Sequence, residues 1–544
     1  MPYCVVDIET DGLNATKLHC IVAKDMATKE IYTWTEDECK AFPAWASKYD
    51  KLIMHNGINF DGYWLNKLLN MNIPLNKIED TLIMSQLYNP VREEGHSLKA
   101  WGDKLDMPKG DVDSFDYYSP EMLEYCKQDT NITYKLYTVL AEEGKRFSIQ
   151  SKQLEYKVRA IIDQQERNGF AFNMKKGQTL LATLEDEANE LSDTAQEMIP
   201  PTKVELKTKT KYIPFNIGSR QQIGTVLQDR GWEPQLYTEK GNVIVNDEVL
   251  SKIDMDEARM FSRYLLLQKR IAQIRSWIEK CGDEGRVHGK VMTLKTITGR
   301  MAHNSPNMAQ VPASYSPYGA ECRELWTVSN PHTHKLVGTD ASGLELRILA
   351  SYMKDQSFID EVVNGDVHTA NMKMAGLQDR SQAKTFIYAL MYGAGPAKIG
   401  AVVGGSAKEG QELTNRFLKN MPRLRNLRNQ VTEAAESGLI KGLDGRLLHI
   451  RNSFSALNTL IQGAGAVVCK QWLVHMMSNV YAQGLDVKLV GSIHDEYQFE
   501  VANQDVKKFT EITKYAMTKT TKTLNLNCPL DSEHKVGTTW LQTH

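Results

Sequence analysis

Residues able to do chemistry gather towards the two ends of the sequence. Near the start, VVDIET sets Asp7 and Glu9 two positions apart. On a strand such residues point to one face, so their carboxylates converge. Two acids side by side repel each other unless a cation lies between them, which makes the segment a candidate divalent-metal site. Asp61, in HNGINFD, and Asp129, in YCKQDT, are further candidate ligands. Tyr125 and Asp129 share a face if that segment is helical, which places Tyr125 to orient a water molecule. Four hard carboxylate ligands suit two Mg2+ or Mn2+ ions, a pair that activates water and stabilises the leaving oxygen in phosphodiester hydrolysis. D-x-E alone is a weak signal, because a single acid is most often a solvated surface group. The ordered set DIE, HNxxxFD, YxxxD is far more specific.

A second constellation occupies the last 200 or so residues. KLVGTDASGLELRILASYM reads as a strand ending at Asp340, followed by a helix after Gly343. LDVKLVGSIHDEYQFEV reads as two strands meeting at His494-Asp495-Glu496. Should that hairpin tip lie beside the end of the Asp340 strand, Asp340 and Asp495 clamp two metal ions. Between the two segments, DRSQAKTFIYALMYGAG spaces Arg380, Lys384, Tyr388 and Tyr392 four apart, so all four line one stripe of a helix. Asp379 is its expected N-cap, and Gly393, Gly395 and Pro396 its stop. Two cations followed by two aromatics match the polarity of a nucleoside triphosphate, with phosphates at one end and a stackable base at the other. A solvated basic face joined to a half-buried aromatic edge fits the same segment equally well. His368, in NGDVHTAN, is an ordinary surface histidine by itself and a phosphate donor beside a triphosphate.

These residues need elements to hold them. With 544 residues the chain is too long for one core, and at least two domains are expected. Residues 1 to about 150 alternate strand-like runs (YCVVDIET, KLHCIVAKD, KEIYTWT, KLIMHNG) with helical patterns, which predicts an α/β domain. Residues 151 to about 280 are mostly helical in pattern: QLEYKVRAIIDQQERNG, a longer helix ending at Pro200-Pro201, and RYLLLQKRIAQIRSWIEK with Arg263, Lys269, Arg270 and Arg275. A lysine-dotted stretch, Lys203, Lys207, Lys209 and Lys211, lies between the last two. The net charge of −2 argues weakly against binding by bulk positive charge and not against cations collected in a groove. None of the eight cysteines stands in a CxxC pair, so reduced thiols are expected and neither a structural zinc nor a disulfide framework is signalled. The N-terminus is not a signal peptide and no apolar run is long enough to span a membrane, which predicts a cytoplasmic protein without a membrane partner.

Taken in order, DASGLELR, RxxxKxxxYxxxYG and HDE resemble motifs A, B and C of family A DNA polymerases; ERNGF, TGRMAHNSPNMAQVP and LNTLIQGAGA are similar to that family as well. The first 145 or so residues resemble a DEDD-type 3′→5′ exonuclease domain of the variant with tyrosine in its third motif. DASGLELR, NGDVHT, AKTFIY, KGLDGR and GSRQQI are most similar to the replicative polymerases of short-tailed phages. The resemblance implies a multidomain α/β fold: an RNase H-like exonuclease domain at 1–150, then a right-hand polymerase at 151–544. Within the latter the thumb is expected at about 175–280, the palm at about 281–354 and 450–544, and the fingers at about 355–449. The implied activity is template-directed DNA synthesis from dNTPs on a primed template, with 3′→5′ proofreading, in phage-type replication.

The same resemblance implies roles residue by residue. Asp340 and Asp495 bind two Mg2+ ions (Mn2+ in their place), which activate the primer 3′-hydroxyl and neutralise the triphosphate, and the carbonyl of Ala341 completes one shell. Glu496 is a supporting acid. Arg380, Lys384 and His368 contact the triphosphate, and Lys384 also protonates the leaving pyrophosphate. Tyr388 stacks on the incoming base, and Glu345 blocks a 2′-hydroxyl and hydrogen-bonds the tyrosine. Arg300, Gln310, Asn458, Gln462 and His494 contact the primer–template, largely in the minor groove, where shape is checked without reading sequence. The basic residues at 203–211 and 263–275 grip duplex phosphates. Expected partners are primer–template DNA, dNTPs and replisome proteins such as a helicase-primase and a single-stranded DNA-binding protein. Phage relatives that recruit thioredoxin carry a long basic thumb insertion, for which Ile199 to Phe215 leaves no room, so thioredoxin is not expected; nor is an N-terminal 5′-nuclease domain. Two rival functions share part of this pattern. A single-subunit RNA polymerase shares the palm acids but not Glu345 or the exonuclease motifs. A non-enzymatic DNA-binding scaffold has no need to keep all six principal carboxylates.

Overall fold

The structure, a computed structural model, describes residues 2–205 and 210–544. It divides into two compact units: Met1–Asn168 with Lys290–Asn304 and Val337–Lys535, and Gly169–Gly289 with Ser305–Leu336 and Val536–His544.

The first unit opens with strands β1 (Tyr3–Thr10), β2 (Leu18–Asp25), β3 (Ile31–Thr35), β4 (Lys51–Met54) and β5 (Ile78–Asp80), ordered β3-β2-β1-β4-β5. β1, β2 and β3 pair antiparallel, whereas β1, β4 and β5 run parallel. The apolar, β-branched run of β1 explains its central position: Cys4, Val5, Val6 and Ile8 are buried. Helix α1 (Asp61–Leu69) follows β4. Helix α2 (Pro120–Glu143) starts from Ser119, whose hydroxyl accepts the Met122 amide at 3.1 Å, with Pro120 at its first position. Its Ile132, Leu136 and Leu140 share a core with Val6, Ile8 and Ile21.

Farther along, strands β6 (His334–Ala341), β7 (Val487–Ile493), β8 (Glu496–Ala502) and β9 (Ser532–Gly537) form a sheet ordered β7-β8-β6-β9. The helices α4 (Leu344–Met353), α5 (Val367–Ala375), α6 (Arg380–Met391) and α7 (Ala456–Gln483) build the second large core of this unit. α7 is apolar on nearly every side and is buried along most of its length, as a helix at the centre of a core must be.

Helix α3 (Ile149–Asn168) joins these two cores. Its Leu154, Val158, Ile161 and Ile162 enter the second core, while Tyr156 enters the first. Gly169, at φ +63°, ends it in the left-handed conformation that favours glycine. Glu155 on α3 meets Lys470 on α7 (2.7 Å) and Arg446 (2.7 Å), Arg446 meets Asp444 (2.8 Å), and Lys470 also donates to the Thr293 carbonyl at 2.8 Å. All four side chains are at most 4% exposed, and two acids balance two bases. Such a set is held together because removing one member leaves an uncompensated charge in the interior. Glu155→Gln should therefore lower stability by about 3 kcal/mol. The measurement is the urea unfolding midpoint; a midpoint equal to that of the parent chain contradicts the assignment.

In the second unit, helices Met174–Met198 and Asp256–Glu279 accompany a three-stranded sheet ordered Trp326–Thr327, Phe170–Phe172, Arg286–Val287. A smaller core gathers Phe215, Ile223, Leu227 and Phe261. The lysine-dotted stretch forms a hairpin, Thr202–Glu205 with Thr210–Ile213; Lys207 and Lys209 lie outside the described residues. The expected basic stripe on Asp256–Glu279 is corrected here. Arg263 pairs with Glu187 at 2.7 Å and Arg275 with Glu185, while Arg270 is buried and donates to the Pro317 carbonyl. Acids on the neighbouring helix neutralise two of these cations, and among the described residues Lys269 is the exposed one of the four with no ion pair.

Candidate functional site

The first acidic cluster forms where β1, the start of α1 and the middle of α2 meet. Asp7 and Glu9 lie two apart on β1, paired with Val22 and Cys20 of β2. Oxygen atoms of both, with the Cys126 sulfur, lie within 4.8 Å of one another. Asp61 is buried in the first turn of α1 and Asp129 is buried on α2. Burial, then repulsion from Asp129, pushes the Asp7 carboxyl up to about 7. Burial, then the Asp7 charge, pushes Glu9 up to about 10 and raises Asp61. Asp129 acts on Asp7, and Asp7 on Glu9 and Asp61, so these charges lie close enough to interact.

Two residues of this cluster were missed in the sequence. Asp80, at the end of β5, is fully buried, and its carboxylate accepts four backbone amides: Asn56 (3.2 Å), Ile58 (3.0 Å), Leu82 (3.0 Å) and Ile83 (3.2 Å). It pins the HNGINF loop that delivers Asp61. The signal was available, since IEDTLIM places an aspartate just before a helical pattern. Lys109 pairs with Asp129 and lies 4.7 Å from the Tyr125 ring centre. No local pattern marks it, because its partner is 20 residues away.

The second cluster forms at one end of the β6–β8 pair. Ile493 pairs with Glu496, so His494 and Asp495 make a two-residue hairpin turn, with His494 at φ +59°. The Ala341 amide donates to the Asp495 carbonyl at 3.2 Å, which brings the ends of the two distant segments together. Partial burial, then repulsion from Asp495 and Glu496, pushes Asp340 up to about 7; burial also raises Asp495. Glu496 itself is buried and accepts the Gln498 side-chain amide at 2.6 Å.

Beside this cluster, Glu345 in the first turn of α4 accepts Arg300 Nη2 at 2.9 Å and the Tyr392 hydroxyl at 2.6 Å. The tyrosine bonded to Glu345 is thus Tyr392 and not Tyr388, because Tyr392 sits one turn later, at the end of α6. Tyr388 lies 6.2 Å from Tyr392 and 6.3 Å from His368, ring centre to ring centre, and burial followed by the Glu345 and Asp495 charges raises its phenol. His368 is lowered by burial and then by the charges of Arg380 and Lys384, so these three form one group. Arg380 is held by Asp366. Arg300, His494 and Asp495 line a small common cavity. Asn458 and Gln462 lie one turn apart on α7, both half-buried, and the Asn458 side-chain oxygen has no hydrogen-bond partner. Gln310 belongs to the second unit, where its carbonyl accepts Gln273 Nε2 at 2.9 Å.

Carboxylate oxygens are donors that suit hard divalent cations, and Asp7, Glu9 and Cys126 form a close ligand group at the first cluster. Carboxyls in both clusters are raised by burial and then by neighbouring acids, and among the described residues Asp129 Oδ1 is buried without a hydrogen bond. Without metal, the folded chain holds the Asp340 proton more tightly than the unfolded chain does, so the fold loses stability as pH rises from about 4 through 7. Asp340→Asn should therefore raise the melting temperature in chelator, more at pH 8 than at pH 5, by about 1–3 °C. A gain that is absent or that shrinks towards pH 8 contradicts the crowding.

Residues 184–542 match the family model described as DNA polymerase family A. The chain is 29% identical to the DNA-directed DNA polymerase of Enterobacteria phage T3, with 99% of this chain and all of the relative aligned. It is also 29% identical to the DNA-directed DNA polymerase of Escherichia phage T7, over the same shares of the two chains. Among solved structures, the POL domain of Pol1 from M. smegmatis, in complex with DNA primer-template and dNTP, superposes with a TM-score of 0.83. It is 18% identical, and the match covers all of this chain and 96% of that one. No helix among the described residues is long and apolar enough to cross a membrane.

Proposed function

Because the chain belongs to DNA polymerase family A, we propose that this phage-like DNA-directed DNA polymerase extends primers at Asp340 and Asp495 and trims 3′ ends at Asp7, Glu9, Asp61 and Asp129. The observation that carries the first half is the bond between the Ala341 amide and the Asp495 carbonyl, which sets two acids at adjoining strand ends. The second half is supported by the four crowded acids beside Tyr125. The domain reading follows: a 3′→5′ exonuclease domain of RNase H-like type at 1–150, and palm, thumb and fingers in the remainder.

At the synthetic site, Asp340, the Ala341 carbonyl and Asp495 would hold two Mg2+ or Mn2+ ions, with Glu496 as a supporting acid. At the other site Asp7, Glu9, Asp61 and Asp129 would hold a second pair. Bound ions supply Lewis acidity and an activated hydroxyl at each site. The chain's own residues do the rest. Arg380, Lys384 and His368 receive the triphosphate, and Lys384 would protonate the departing pyrophosphate. Tyr388 offers a face to the incoming base. Glu345, fixed in place by Arg300 and Tyr392, would stand in the way of a 2′-hydroxyl, so ribonucleotides would be disfavoured. Asn458, Gln462, Gln310, Arg300 and His494 meet the primer–template, whose grooves present acceptors common to all correct pairs. Tyr125, steadied by Lys109, orients the hydrolytic water.

Its partners would be primer–template DNA, dNTPs, a helicase-primase and a single-stranded DNA-binding protein, in the host cytoplasm. Thioredoxin is left out, since the interval from Ile199 to Phe215 is too short for a basic docking insertion.

The test is a primed template in Mg2+ with dNTPs, with NTPs, and with neither. Growth with dNTPs alone and shortening without nucleotides are expected. Asp495→Ala should cut extension at least about 1000-fold and spare shortening, and Asp7→Ala should do the reverse. Parallel loss of both activities in either variant would show that the two clusters are not separate sites. Glu345→Ala should raise ribonucleotide use relative to dNTP by about tenfold or more, read from single-nucleotide insertion rates; an unchanged ratio removes Glu345 from sugar selection.

A further inference from the structure

Arg380 stands at the start of α6, with 54% of its side chain exposed, yet it is not loose. Its Nε donates to Asp366 Oδ2 at 2.7 Å and its Nη2 to Asp366 Oδ1 at 2.9 Å. This is a two-bond grip on the side edge of the guanidinium. A guanidinium has five N–H groups, and the grip uses two. The end edge, made of Nη1 and the other Nη2 hydrogen, remains open, and it can take two oxygens of a phosphate in the same bidentate manner.

Asp366 is itself locked. It caps α5, accepting the amides of His368 (3.2 Å) and Thr369 (3.3 Å), and it accepts the Thr369 hydroxyl at 2.7 Å. Those bonds and Arg380 keep its carboxyl ionised, well below the usual carboxylate range. One carboxylate therefore ties together the start of α5, which carries His368, and the start of α6, which carries Arg380 and Lys384.

We propose that Asp366 is a positioning residue for the nucleotide: it grips one edge of Arg380 and so presents the other edge to the triphosphate. This rests on the reading of Arg380 as a triphosphate contact. A competing role, with Asp366 as an internal mimic that the triphosphate must displace, is disfavoured because the two acids use different edges. On an exposed surface its repulsion of a phosphate is also screened by water and salt. An arginine without this grip, by contrast, has to give up its rotamer freedom each time nucleotide binds.

The test is a double-mutant cycle on the full chain, with dNTP affinity and maximal insertion rate measured separately in single turnovers. Asp366→Asn is the informative variant, because asparagine caps a helix as well as aspartate does and α5 stays formed. It should weaken dNTP binding about fivefold and pyrophosphate binding by a similar factor, while the insertion rate and the dNTP-to-rNTP ratio hold within about twofold. In an Arg380→Ala background the same substitution should add less than about twofold. Additive losses, or tighter dNTP binding in Asp366→Asn, overturn the proposal and leave the nucleotide-site reading standing. Arg380→Ala with unchanged dNTP affinity overturns both.

Discussion

Like charges brought together govern this structure, in the interior at the first cluster and in a partly open place at the second. Asp7, Glu9, Asp61 and Asp129 interact where β1, α1 and α2 meet, and Asp340, Asp495 and Glu496 meet at a strand end. Carboxylates left to themselves would separate and stay in water. Here the backbone overrules them: β1 points Asp7 and Glu9 to one face, and the bond from Ala341 to Asp495 joins two segments more than 150 residues apart. The raised carboxyls show where that repulsion falls, and protonation or a bound cation would offset it. Lys109 relieves part of it at the first cluster by pairing with Asp129.

Helix α3 gives both clusters a common support. On one side Tyr156 accepts the Asp80 amide at 2.9 Å, next to the carboxylate that holds the HNGINF loop. On the other, Glu155 anchors Lys470 and Arg446 in the interior. Arg446 Nη1 would lie 2.8 Å from a side-chain carbon added at Gly299, whose φ is +74°. That position has neither the backbone freedom nor the space for a larger residue, and the next residue is Arg300, which pairs with Glu345. A chain of neighbours thus runs from α3 to the Arg300–Glu345 pair, every link of it buried or half-buried.

Much of this was legible in the sequence because it is local. Short apolar runs marked β1 and β2, four-residue spacing marked α6, and the break at His494-Asp495-Glu496 marked the hairpin, whose turn is one residue shorter because Glu496 already pairs with Ile493. Asp379 and Gly343 announced helix ends by their chemistry. What escaped depends on partners distant in the chain. Glu155, Arg446 and Lys470 are each ordinary helix or loop residues until the fold brings them together. Arg270 looked like surface charge, and burial against Pro317 is invisible to periodicity. Tyr392 and Tyr388 differ by one turn on the same stripe, so spacing could not say which reaches Glu345. Asp366 gives no local sign of its role, because its partner Arg380 lies 14 residues further along.

The central claim is that two separate carboxylate clusters exist to hold divalent cations. Anomalous diffraction from crystals soaked in Mn2+ measures this most directly. The account predicts peaks at Asp7, Glu9, Asp61 and Asp129, and others at Asp340 and Asp495, with none elsewhere of comparable height. Peaks missing from both clusters, in a chain whose Asp340 and Asp495 remain adjacent, would contradict it.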